Sequence, residues 1–87
     1  MRFTLFKKSQ GCQPCVATQR VLDRHGLREG QHYDVRYLDL DAEALRFAKG
    51  LGHNAAPVVY VNEDRHWSGF WPGRVDELAQ EVDRGDG

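Results

Sequence analysis

Pro57-Val58-Val59-Tyr60-Val61-Asn62-Glu63-Asp64-Arg65-His66-Trp67-Ser68 is the stretch on which the fold turns. Pro57 to Val61 is a compact apolar run with the length of a buried central strand. Asn62-Glu63-Asp64 is rich in turn formers, and Arg65 to Ser68 reads as a short return strand, so the segment predicts an antiparallel hairpin. Toward the N-terminus, Tyr33 to Leu38 alternates and is rich in β-formers, and Arg2 to Phe6 does so in part; each predicts a strand. Lys7 to Gly11 is polar and reads as a loop. Pro14 suits the first turn of a helix, where its missing N–H costs nothing, and no breaker follows until Gly26. Cys15, Thr18, Val21 and Leu22 fall near one face of that helix.

Asp41 predicts the N-cap of a second helix, with Glu43 and Ala44 in its first turn, Leu45, Ala48 and Leu51 as its apolar stripe, and Gly50 and Gly52 at its end. Pro72 opens a third, with Val75, Leu78, Ala79 and Val82 at helical spacing. The resulting order is β-α-β-α-β-β-α. Its first half requires a crossover and hence parallel strands, and its last pair is a hairpin. This is an α/β pattern that resembles the thioredoxin fold: a four-stranded mixed sheet with three helices. Eighty-seven residues allow one core, expected over residues 1–84, with 85–87 as a flexible tail.

Twelve basic residues stand against 13 acidic ones, interspersed, which argues against a nucleic-acid surface. No run reaches the about 18 apolar residues of a membrane span, and Met1 to Phe6 is too short, before Lys7 and Lys8, for a signal peptide. The expectation is a cytoplasmic protein that binds no nucleic acid and no membrane.

Cys12 and Cys15 are the only cysteines, in the run Cys12-Gln13-Pro14-Cys15. As a staple so short a ring is worth about 2 kcal/mol, against about 4 to 5 for one closing most of the domain. Adjacent placement suits chemistry. A thiolate is the attacking species in disulfide exchange, and the unpaired N–H groups and positive dipole end of a helix favour it. Cys12 precedes the first turn, with Lys7 and Lys8 nearby, and is the expected nucleophile. Cys15, one turn inward, is the expected resolving thiol. A zinc site would need two more ligands, and His25, His32, His53 and His66 lack the spacing of a zinc finger.

Pro57 after Ala55-Ala56 is expected to be a cis-proline beside the dithiol, so that Ala56 can pair with an extended partner segment. Asp39 or Asp41 could accept a proton from Cys15, with capping the favoured role. His66 is expected to be an exposed strand residue.

With Cys12…Cys15-Val16-Ala17-Thr18, Ala55-Ala56-Pro57-Val58-Val59 and His66-Trp67-Ser68-Gly69-Phe70-x-Pro72 in view, the chain resembles the NrdH-type redoxins from about Phe3 to Leu78. These proteins are glutaredoxin-like in sequence and thioredoxin-like in activity. The resemblance implies a monomeric electron donor that makes transient complexes with the large subunit of class Ib ribonucleotide reductase and with thioredoxin reductase. It implies no bound cofactor, the electrons coming from NADPH through the reductase. The chain departs from that family in carrying Gln13-Pro14 between the cysteines, an added position near Gly11, and Trp71-Pro72-Gly73 where the family has Arg-Pro-Asp.

Two other readings stand beside this one. Glutathione-dependent glutaredoxins usually place acidic residues after a Gly-Gly pair, where this chain has Ser68-Gly69-Phe70-Trp71-Pro72. A module holding zinc or an iron–sulfur cluster on the cysteine pair is the third class. The expected partner surface comprises Lys8, Gln13, Pro14, Ala56, Pro57, Trp67, Ser68, Gly69, Phe70 and Trp71. Of the three rings, Phe70 is assigned to the core and Trp71 to the surface.

Overall fold

A computed structural model describes residues 1–86, with side chains through residue 82. Its elements are β1 (Phe3–Lys7), α1 (Gln13–Arg24), β2 (Tyr33–Tyr37), α2 (Ala42–Gly50), β3 (Val58–Asn62), β4 (Arg65–Ser68) and α3 (Pro72–Asp86). The strands form one sheet in the order β2-β1-β3-β4. β1 and β2 run parallel, with Leu5 beside Val35, because α1 carries the chain back to the starting edge. β3 lies antiparallel to β1, with Phe6 beside Val58, and β4 returns along β3 with Val58 beside Ser68. This is the expected thioredoxin fold.

The β-strand period of two divides the core between the faces of the sheet. Phe3 and Leu5 of β1, Val59 of β3 and Trp67 of β4 meet Val21 and Leu22 of α1 and Val75, Leu78, Ala79 and Val82 of α3. Phe6 and Val58 point the other way, onto Leu38 and α2. β3 is apolar on both sides for this reason, as a central strand must be. Burying each large side chain is worth about 1.5–3 kcal/mol, so the alternation of Phe3, Leu5 and Phe6 fixes the register as well as stability.

Some details differ from the sequence reading. β1 begins at Phe3 and includes Lys7, because its pairing with β2 continues through Lys7 and Tyr37. On α2, Ala44 and Ala48 face the sheet, while Leu45 is exposed and Leu51 only half-buried. Ala44 and Ala48 are four residues apart, on one face, and their small side chains let the helix sit close to the strand. Phe47 covers the edge of this packing, stacking 5.6 Å from Phe6 and meeting Tyr60 edge-on at 5.0 Å. Of the tail expected at 85–87, the backbone of 85 and 86 continues α3, and Gly87 lies outside the described residues. Among the described residues no helix is long and apolar enough to cross a membrane.

Candidate active site

α1 starts where it does because Cys12 caps it. Gly11 takes a positive φ of 71°, a turn that L side chains rarely make, and delivers Cys12 in extended conformation at the N-cap. The Cys12 Sγ accepts from the Cys15 N–H at 3.3 Å, taking up one of the N–H groups left free by the first turn. Pro14 sits in that turn at no cost, and no carboxylate stands there to oppose negative charge on the sulfur. Thr18 is fully buried, and its hydroxyl donates to the Pro14 carbonyl at 2.8 Å, bracing the same turn from inside.

Cys12 and Cys15 are joined in a disulfide, their Cα atoms 5.3 Å apart. The two sulfurs differ in access: Cys15 is 2% exposed, whereas Cys12 is half-buried and flanked by exposed Gln13 and Pro14. An incoming group therefore meets Cys12 first, and Cys15 can reach a partner only through it.

The sheet register gathers the other expected residues at this end. Phe6 beside Val58 puts the start of β3 next to the end of β1, from which the loop of residues 8–11 runs to the dithiol. The Ala56–Pro57 peptide is cis, with Pro57 buried and Ala56 half-buried. The Pro57 carbonyl accepts from the Gly69 N–H at 2.8 Å, which draws the turn after β4 to the same edge. Gly69 has φ 88°, and a Cβ there would lie 3.7 Å from the Trp71 indole nitrogen. That indole donates to the Ser68 carbonyl at 2.9 Å and closes the turn.

Among the aromatic residues, Trp67 and Phe70 depart from expectation. Trp67 belongs to the core, because β4 alternation points it inward under α3; it cannot touch a partner directly. Phe70, assigned to the core from sequence, is 39% exposed, since the turn at Gly69 carries it past the end of the strand. Trp71 is 52% exposed. The Arg74 guanidinium lies over both tryptophans, 5.5 Å from the Trp67 ring and 5.2 Å from the Trp71 ring. Sequence reading passed over Arg74 because one turn of α3 must fold over the hairpin before the stack exists.

The lysines and aspartates are placed by contacts of their own. Lys7 donates to Gln19 at 2.6 Å and lies over the Tyr37 ring, so it braces α1 against β1. Exposed Lys8 borders an open groove of about 340 Å³ with Leu38, Asp39, Lys49, His53 and Ala56. Asp39 is exposed and accepts from the Ser9 N–H and hydroxyl, bonds that hold its carboxyl below the usual range. Asp41 caps α2 through the Glu43 and Ala44 N–H groups and pairs with Arg36; the Ala44 bond and then Arg36 lower its pKa. Both aspartates thus serve the backbone, and neither is buried beside Cys15.

His66 is not an exposed strand residue. It is half-buried, with its Nδ1 2.7 Å from the Nε2 of His53 and the rings at 84°. One nitrogen carries the hydrogen and the other accepts it. Thirteen residues separate the pair, and only the folding of the loop after α2 onto β4 reveals it. Among the described residues there is no cluster of three or more His, Cys, Asp or Glu side chains that could hold a metal ion.

Among known proteins, the glutaredoxin family profile matches residues 3–67. The glutaredoxin-like protein NrdH-redoxin from Escherichia coli, described as having a thioredoxin-like activity profile, is 29% identical in structural alignment, with a TM-score of 0.77 over 90% of this chain and 95% of its own. The thioredoxin-like protein BC3987, solved as a point mutant, aligns at 20% identity and TM-score 0.70 over 90% of this chain and 94% of its own. The glutaredoxin grx-1 from Archaeoglobus fulgidus aligns at 22% and 0.64 over 87% and 83%. The last two show the fold alone. A search of curated proteins returned no significant match.

Proposed function

The chain belongs to the glutaredoxin family and is a thiol–disulfide oxidoreductase, and from that premise we propose that it is of NrdH type and carries electrons from an NADPH-dependent thioredoxin reductase to protein disulfides. The target the resemblance points to is the large subunit of class Ib ribonucleotide reductase. Both encounters are transient, the carrier is a cytoplasmic monomer, and no resident cofactor is needed because the dithiol itself holds the electron pair.

The chemistry follows from the placement of the sulfurs. In the reduced protein the Cys12 thiolate, facing the Cys15 N–H and the positive end of α1, attacks one sulfur of the partner disulfide. A Cys12–partner bond forms, and the other partner sulfur leaves as thiolate. Cys15, having lost its proton, attacks the Cys12 sulfur; the Cys12–Cys15 bond forms and the second partner thiolate is released. Two electrons have passed to the partner, and the reductase restores the dithiol by the reverse exchange. Ala56 and Pro57, with Gln13 and Pro14, frame the approach of the partner strand; Lys8, Ser68, Gly69, Phe70 and Trp71 lie around it.

The observation that carries the choice of reductase is the turn after β4. Where a glutathione-dependent enzyme usually offers carboxylates to the glutathione amino end, this turn offers Phe70 and Trp71, with Trp71 held by Ser68 and stacked by Arg74. The test is reduction of insulin, or of ribonucleotide reductase, with NADPH and thioredoxin reductase in one arm and glutathione with glutathione reductase in the other. Turnover in the first arm is expected. Turnover confined to the second would replace this reading with the glutathione-dependent one.

A further inference from the structure

On the assumption that protein disulfides are the substrates, the structure also describes the chain segment that brings them. α1 carries no charge from Cys12 through Gln19, then places Arg20 and Arg24 one turn apart on its exposed side. Arg2, Arg36 and Arg65 are each held by a carboxylate, and Arg74 is stacked on tryptophan. Arg20 and Arg24 make no ion pair or ring contact among the described residues. Asp23 lies between them in sequence and pairs with neither. Arg20, Asp23 and Arg24 together line an open groove of about 470 Å³ whose apolar wall is Ala17, Val21 and exposed Phe70. Val16, 46% exposed, and Trp71 extend the apolar surface at the dithiol end of the molecule.

We propose that this groove docks an acidic, extended segment of the redox partner, one apolar side chain seated against Phe70 and flanking carboxylates paired with Arg20 and Arg24. Charge complementarity selects this occupant: two unpaired guanidiniums beside one carboxylate leave a positive rim on an apolar wall. The spacing is set by elementary geometry. Arg20 and Arg24 lie about 12 and 18 Å along the helix axis from Cys12, the sulfur that joins the partner, at about 1.5 Å per residue. An extended chain covers those distances in about four and six residues, so the acids belong four and six positions from the partner cysteine, with the apolar residue between them. The docking site therefore sets which disulfides are reduced quickly, and the exchange at Cys12 is unchanged by it.

The test uses three synthetic peptides with the same internal disulfide and a Phe five residues beyond it, flanked by Glu, Gln or Lys at positions four and six. Each is mixed with the full-length reduced protein, and the second-order reduction rate is followed at low salt. Each exposed ion pair is worth up to about fivefold, so the Glu peptide is expected to react about five- to twentyfold faster than the Gln peptide, and the Lys peptide slowest. The advantage should collapse in about 1 M salt, where screening acts within about 3 Å. The double variant Arg20→Glu/Arg24→Glu should invert the order, making the Lys peptide fastest, and should leave the Gln peptide within about twofold of wild type. Equal rates for all three peptides, or a Glu preference that survives the double variant, would overturn the docking proposal. Failure of wild type to reduce even the Gln peptide would instead overturn the underlying reading of a protein-disulfide reductase, and docking with it.

Discussion

Replacing Cys15 with serine should convert a fast carrier into a trap. In the wild-type protein the Cys15 sulfur is within bonding reach of Cys12, on a helix turn braced by Thr18, so resolution is an intramolecular step. Well-oriented intramolecular groups reach effective molarities up to about 10⁵ M or more; an effective value of only ~10 M already exceeds a millimolar external thiol by about 10⁴-fold. In Cys15→Ser the partner can leave only by attack of such an external thiol at half-buried Cys12. The mixed disulfide should therefore persist about 10⁴ times longer, turning a lifetime of seconds into hours. Reduced Cys15→Ser is mixed with oxidised insulin or the Gln peptide, and adducts are counted over time by intact-mass spectrometry under non-reducing conditions. Cys12→Ser, which leaves only a sulfur that is 2% exposed, should give no adduct over the same period. An adduct on Cys12→Ser and none on Cys15→Ser would reverse the two roles and refute the reasoning from access and helix position.

Thr18→Val keeps the shape of the buried side chain but removes its bond to the Pro14 carbonyl, costing about 1 kcal/mol and lowering the melting temperature by about 4–8 °C in calorimetry. Arg65→Met removes a bidentate pair with Glu81 that ties β4 to α3 at 2.8 and 2.6 Å, and should cost about 1 kcal/mol by urea denaturation. Burial, reinforced by His66, pushes the His53 pKa below its ordinary 6.5. The unfolded chain then binds more protons than the folded one below pH 6.5, so stability is full above that pH and declines as pH falls beneath it. Urea midpoints at about pH 7.5 and about pH 5.2 should show this decline, and His53→Gln should reduce it; an unchanged decline in the variant would assign it to other groups. Phe70→Ser/Trp71→Ser should slow reduction by thioredoxin reductase about tenfold or more while leaving reaction with a small aromatic disulfide within about twofold, both read as initial rates.

The sequence by itself determined the order of elements, the mixed sheet and the dithiol chemistry, because each rests on a local signal. Strand alternation at Phe3, Leu5 and Phe6, the apolar run at Pro57–Val61, Pro14 in a first turn with Cys12 just before it, and the cap at Asp41 are all legible within a few residues. Family resemblance carried the motif around Pro57 and Ser68 further than periodicity could. What the tertiary structure alone decided lies where distant segments meet or a turn redirects the chain. Gly69 swings Phe70 out of the core that its hydrophobicity suggested. Alternation along β4 sinks Trp67 beneath α3, where Arg74 then links it to Trp71. His53 and His66 become partners only when the loop after α2 closes on the sheet edge. Asp39 and Asp41, both candidates for proton transfer, spend their oxygens on Ser9 and on the first turn of α2. The groove beside Arg20 and Arg24 likewise exists only because the turn after β4 lays Phe70 against α1. Local composition sets which structure each segment forms, but packing decides which surface that segment turns to water.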